Sequence, residues 1–204
     1  SETDFLKRGE VQERVGYAFY RAAMQAEGVD EFRERMRQSV ANCQRAKEFY
    51  GRLNHQGKTP RMLRCDAMIA YIGYWLTSEV PEKKKLLEDC WRTTEETLKA
   101  FEETGDALEY GKTYNQLSSS ACGRYAFEWS FQAREKIIKE ALEHGEHAIT
   151  LLSGAGEPNE LARAYVKAAM YLTIVGSYFI SDMDEKDTNY RKGLEYWQKA
   201  NELS

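Results

Sequence analysis

The chain has 204 residues, 42% of them hydrophobic and 30% charged, with a formal net charge of −4. That mildly acidic balance supplies no global basic field for nucleic acid or acidic lipid. No signal peptide is recognisable, and no apolar run approaches the ~20 residues that span a bilayer, since the longest candidate, 164–180, carries Lys167, Thr173 and Ser177.

Helices are expected throughout. The first runs from about Asp4 to Ala26, with Phe5, Val11, Val15, Phe19 and Met24 on one stripe and Gly28 closing it. Asp30 then caps a second helix, about 31–53, that faces Met36, Val40, Cys43 and Phe49 inward. After a turn at His55–Thr59, Pro60 opens a third helix to about Thr77. Pro81 follows the break at Ser78 and starts a fourth, which reaches Thr104. Gly105 and Asp106 end it and cap a fifth, about 107–131. The sixth is the stretch KEALEHGEHAITLLSGAG from Lys139 to Gly156, and Glu157-Pro158 begins the seventh. An acidic loop, 181–188, precedes the eighth, about 189–203. No run alternates as a strand would.

A period underlies these elements. Gly16, Ala67, Ser118 and Ala169 recur at intervals of 51 residues on the odd helices, and all are small. On the even helices Ser39, Cys90, Ala141 and Gly193 correspond, and Ala46, Thr97, Ala148 and Ala200 lie seven residues further on. Large apolar residues sit beside them: Val40, Trp91, Leu142 and Leu194, with Met36, Leu87, Ile138 and Tyr190 one turn earlier. Small residues let two backbones approach and large ones fill the next layer. Both classes repeating at one interval mark a stacked helical array.

One small site on the odd helix and two on the even helix, seven apart, resemble the tetratricopeptide repeat. Around the first small site the family's aromatic and aliphatic places hold Gln12, Val15 and Phe19; Leu63, Asp66 and Ala70; Tyr114, Leu117 and Ala121; and Tyr165, Ala168 and Leu172. The family repeat is about 34 residues long, so this one is longer. The added residues between the small sites amount to about three helical turns, which lengthens both helices without rotating the packing face. The large aromatic usual between the two even-helix sites is replaced by Cys43, Thr94 and Gly145, and only Trp197 matches. The resemblance implies an all-α, right-handed solenoid of about eight antiparallel helices in four hairpins. It forms a single domain over 1–204, with repeats at about 4–55, 58–104, 106–156 and 157–204. A start at Ser1 and a stop at Ser204 are consistent with a domain excised from a larger protein. A last helix without a polar cap leaves room for a homodimer.

Catalytic and metal motifs are weak. His144 and His147 lie three apart with no third ligand and read as exposed helix residues. Asp182, Asp184 and Asp187 have a calcium-loop rhythm but lack its central glycine and terminal glutamate, so they read as a solvated, capping loop. Ser118, Ser119 and Ser120 have no nucleophile elbow. Gly57-Lys58-Thr59 lacks the upstream glycine of a phosphate loop, and Lys83–Lys85 sit among acids as a solvated face. Cys43, Cys65, Cys90 and Cys122 form no C-x-x-C pair and read as core residues in a reducing cytoplasm. No enzyme, cofactor or metal is expected.

One constellation points to binding. On the odd helices, one and two turns before the small site, stand Glu10, Arg61, Lys112 and Arg163, then Glu13, Arg64, Asn115 and Val166, flanked by Arg14, Cys65, Gln116 and Lys167. In the tetratricopeptide family equivalent places hold a peptide carboxylate. The resemblance therefore implies a groove in which Arg61, Arg64, Lys112, Asn115, Gln116, Arg163 and Lys167 receive an acidic segment or a C-terminal carboxylate. The plainer reading pairs these cations with neighbouring glutamates. Tyr17, Tyr20 and Tyr71 add amphipathic contact area. The expected function is a non-catalytic protein–protein interaction scaffold or regulatory module. The alternative is a small-effector sensor domain of a larger signalling or transcription regulator.

Overall fold

Amphipathic stripes broken by glycine, proline and capping residues fold as eight α-helices in the computed structural model, which describes residues 2–54 and 58–203. They are α1 (Glu2–Ala23), α2 (Val29–Tyr50), α3 (Lys58–Leu76), α4 (Val80–Glu102), α5 (Ala107–Phe127), α6 (Phe131–Leu152), α7 (Pro158–Tyr178) and α8 (Met183–Glu202). No strand occurs among the described residues. The helices fall into two units, 1–104 and 105–204. In the first, α1 packs on α2, α2 on α3 and α3 on α4; in the second, α5 packs on α6, α6 on α7 and α7 on α8. The architecture is all-α, a helical repeat of the solenoid class.

The periodic small residues are where the hairpin helices meet. A methyl group added at Gly16 would stand 3.0 Å from Cys43 Sγ and 3.2 Å from the Ser39 carbonyl oxygen. Ser39 Oγ also donates to the Gly16 carbonyl at 2.6 Å. The same joint recurs in the second unit, where Ser118 Oγ donates to the Ala141 carbonyl at 3.0 Å. In the last hairpin a methyl group on Gly193 would meet the Ala169 carbonyl oxygen at 3.4 Å. Ala67 and Cys90, the corresponding pair of the second hairpin, are fully buried. Larger residues fill the layers between. Met36, Cys43 and Ile72 form one cluster of the first unit, and Ala46, Tyr50, Leu53 and Cys65 another. Ala148, Leu152 and Ala164 form a cluster of the second.

Several helix ends differ from expectation. The first helix stops at Ala23, and Gly28 is the extended N-cap of α2 rather than the closure of α1. Two side chains account for this: Glu31 accepts from the Glu27 amide, and Arg35 donates to the Ala22 carbonyl at 2.6 Å. Asp30 therefore lies inside the first turn. At the other end α2 stops at Tyr50, short of the expected 53, with Gly51 as its cap. Lys58 already belongs to α3, so Thr59 and Pro60 lie within its first turn. The expected turn at His55, Gln56 and Gly57 lies outside the described residues. Gly105 and Gly156 have φ of 69° and 72°, a backbone that glycine adopts without strain. Asp106 caps α5 as expected, accepting from the Glu109 amide at 3.1 Å.

The largest correction falls at 128–130. The fifth helix ends at Phe127, not Phe131. The Glu128 carboxylate accepts from the amides of Trp129 and Ser130, both at 2.8 Å, and Ser130 Oγ accepts from Ala133 to start α6. That helix is accordingly longer than the 139–156 stretch. Likewise the expected acidic loop is the first turn of α8. Asp182 caps it, accepting from the Glu185 amide at 2.9 Å, and Asp184 and Glu185 face the positive end of the helix dipole.

Candidate binding face on the odd helices

In the first unit the odd-helix face combines aromatic rings with exposed Arg14, while two of the expected cations are withdrawn from it. Arg61 and Arg64 are 8% and 5% exposed, inside the packing. Arg64 grips Glu13, one period earlier, through two parallel bonds, Nε to Oε1 at 2.5 Å and Nη2 to Oε2 at 2.7 Å. Tyr50 donates to the same carboxylate at 2.7 Å. Both guanidiniums also lie over the Phe101 ring, at 5.9 and 5.5 Å. A buried cation needs such a fork and an aromatic face, because an unpaired charge in this interior is costly. Burial, reinforced by Glu13, pushes the Cys43 thiol up to about 12 and raises Cys65 well above its ordinary value. Neither is a nucleophile at neutral pH.

A row of rings runs along this face. Tyr17 and Tyr20 of α1 lie 5.9 Å apart, and Tyr20 lies 5.9 Å from Tyr71 of α3. The row continues through Tyr74 and Trp75, whose centroids are 5.0 Å apart. Lys83 sits over Tyr74 at 5.1 Å. Tyr71 is buried by its neighbours, whereas Tyr17, Tyr20 and Tyr74 are half-buried.

In the second unit the cation line resolves into local pairs. Lys112 Nζ meets Glu109 at 3.2 Å, and Arg163 meets both Glu160 oxygens at 2.8 Å. These are the same joint one period apart. Asn115, fully buried, donates to the Glu160 carbonyl at 2.9 Å and to its carboxylate at 3.1 Å, tying α5 to α7. Burial alone would raise the Glu160 carboxyl. Arg163, the Asn115 hydrogen bond and Lys112 outweigh it and hold the group below the usual carboxylate range.

One row over, two donors lack an answer. Gln116 and Lys167 occupy the same register position on α5 and α7. The Gln116 Nε2 is buried with no acceptor among the described residues. Lys167 is half-buried, and no carboxylate or carbonyl partners its ammonium among the described residues. Burial pushes its pKa down; the Cys122 thiol opposes this, and Arg163 adds to it. Lys112, Gln116, Arg163 and Lys167 thus share the odd-helix face of this unit, and only the first and third are locally neutralised. Val166, on the same face, is half-buried.

The weaker motifs have structural roles. Ser118, Ser119 and Ser120 each donate to a helix carbonyl, of Ala141, Asn115 and Leu117 respectively. His144, half-buried rather than exposed, and His147 lie against the Tyr114 ring at 5.6 and 5.2 Å. An aromatic patch was not foreseen. Trp129 is 88% exposed, and the Phe131 ring lies tilted against Phe179 at 4.9 Å beside exposed Tyr178. Ser130, a strong cap residue before Phe131, is the signal that could have revealed it.

No protein-family model matches the chain, and no curated protein matches it. The chain does resemble solved structures. It is similar to the de novo designed helical repeat protein DHR64, at 14% identity over 100% of this chain and 99% of that one, with a TM-score of 0.44. It is also similar to the DHF79 filament, at 12% identity over 93% and 98%, TM-score 0.44. The DHF58 filament is similar at 14% identity over 98% and 97%, TM-score 0.43. No helix of the described residues is long and apolar enough to cross a membrane.

Proposed function

We propose that the protein is a non-catalytic, tetratricopeptide-like interaction module whose second unit receives an acidic segment or a C-terminal carboxylate of a partner protein. The observation that carries this reading is Lys167: half-buried, its ammonium weakened by desolvation and by Arg163, with no carboxylate partner among the described residues. A carboxylate placed there gains a charge-assisted bond and relieves the desolvation already incurred. Gln116 Nε2, at the same register position one odd helix earlier, supplies a second donor lacking an acceptor. Arg163 and Lys112 add favourable potential while staying paired to Glu160 and Glu109. Arg61, Arg64 and Asn115 serve the fold, and the half-buried tyrosines Tyr17 and Tyr20 of the first unit offer a separate amphipathic surface.

The test is calorimetric titration with a short glutamate-rich peptide bearing a free C-terminus. Lys167→Glu is expected to weaken binding at least about tenfold, roughly 1.4 kcal/mol. Lys167→Met, which keeps the apolar stem and the fold, should weaken it severalfold. Lys84→Glu, an equal charge change on exposed α4, should leave it unaltered. Equal losses in Lys84→Glu and Lys167→Glu, or no loss in either Lys167 variant, would remove the proposal.

A further inference from the structure

The first and last helices of the chain carry complementary halves of a joint that each unit already builds internally. Within the units, an even helix is covered by the odd helix that follows it. Cys43 and Met36 of α2 are buried in a cluster with Ile72 of α3, and a methyl group on Gly145 of α6 would touch Ala168 of α7 at 3.5 Å. Moving along the period, the places of Met36, Val40 and Cys43 are taken on α8 by Tyr190, Leu194 and Trp197. These three are 41%, 60% and 41% exposed. The opposite half behaves alike. Asp66 of α3 bonds Lys47 of α2 at 2.7 Å, and Met62 packs on the Ala46, Tyr50 and Leu53 cluster. Their equivalents on α1 are Val15 and Val11, 36% and 55% exposed.

We infer that α8 of one molecule receives α1 of a second copy, repeating between chains the contact made by α2 with α3 and α6 with α7. The register is fixed by the internal joints. Gly145 against Ala168 translates to Trp197 against Val15. Antiparallel packing then carries Glu202 toward Lys7 and Arg8, and Asp187 toward Arg21. Lys7, Arg8 and Arg21 of α1 thus stand near two of the α8 carboxylates, Glu202 and Asp187, while Glu10 also falls opposite Glu202. Among the described residues, Arg8 and Asp187 each hold an exposed pair within their own helix, with Asp4 and Arg191, which is readily exchanged. Trp197 supplies the large aromatic that an interface core favours. The joint is head-to-tail: the surfaces on the two molecules differ, so each added copy exposes the same pair of faces again.

Sedimentation velocity of the whole chain from micromolar to near-millimolar concentration tests this. The unaltered chain is expected to grow beyond a dimer as concentration rises. Val15→Glu alone and Trp197→Glu alone should each be monomeric, because exposed positions tolerate the charge but the joint does not. An equimolar mixture of the two should form a one-to-one pair, through the intact α8 of the first variant and the intact α1 of the second. Three results would overturn the inference: an unaltered chain that stays monomeric throughout, a mixture that stays monomeric, or a dimer abolished by Trp197→Glu and indifferent to Val15→Glu. The last would mean a symmetric α8 contact. None of these results bears on the acidic-segment reading, whose residues lie on α5 and α7.

Discussion

Arginines decide most of the first unit's character, and they were the residues hardest to place from their own neighbourhood. In a helical pattern Arg61 and Arg64 read as surface, since arginine is rarely buried without a partner. The partner of Arg64 is Glu13, and it lies one full period away in sequence. Only the three-dimensional stacking of consecutive odd helices brings it within 2.5 Å. Glu13→Ala should therefore cost about 3–5 kcal/mol, because it strands a buried guanidinium. The double replacement Glu13→Leu with Arg64→Met should recover most of that loss, since a well-packed apolar pair can substitute for a buried ion pair. Urea midpoints of the three variants measure this. Simple addition of two large losses would mean that the pair acts independently. Lys167 shows the opposite case. Its flanking position was legible in the sequence, but its lack of an anion was not, because that depends on which glutamates the neighbouring helices turn inward.

Whole helices were more readable than their ends. Pro81 and Pro158 fall at the first or second residue of α4 and α7, and Asp106 caps α5, each for a reason confined to a few residues. The break at Glu128–Ser130 has no glycine or proline to announce it. It is made by a carboxylate turning back onto two amides, followed by a serine cap. The α8 start was misread for a related reason: Asp182 and its acidic followers look like a solvated loop until their amides are seen to need acceptors. Ser130→Ala is expected to lower stability by about 1 kcal/mol. Gly16→Val should cost more, about 1–3 kcal/mol, because its side chain would press on Cys43 and the Ser39 carbonyl. Thermal unfolding by circular dichroism checks both. A larger loss at Ser130 than at Gly16 would mean that the small-residue joint is not where the α1 and α2 helices are held.

Over the whole chain, one spacing organises the architecture and the proposed binding face. Recurrence of Gly16, Ala67, Ser118 and Ala169 was enough to foresee paired helices, and those residues meet Ser39, Ala141 and Gly193 in the hairpins where the joint is resolved to named atoms. The same spacing aligned the odd-helix cations, but alignment says nothing of which become neutralised. Lys112 and Arg163 found glutamates three residues earlier on their own helices, and Lys167 did not. The consequence is a pH-dependent face. An unfolded lysine titrates near 10.4, roughly, and burial lowers the folded value. In the window between the two, the folded chain holds fewer protons than the unfolded one, so stability rises with pH there. A bound carboxylate has the reverse effect on the group, favouring the ammonium, so binding should take up a proton within that window and weaken above it. The most direct measurement is an NMR titration of the Lys167 side chain with and without the glutamate-rich peptide. The account predicts a midpoint below those of the exposed lysines that moves upward when the peptide is added. A midpoint among the exposed lysines, unchanged by peptide, would contradict it.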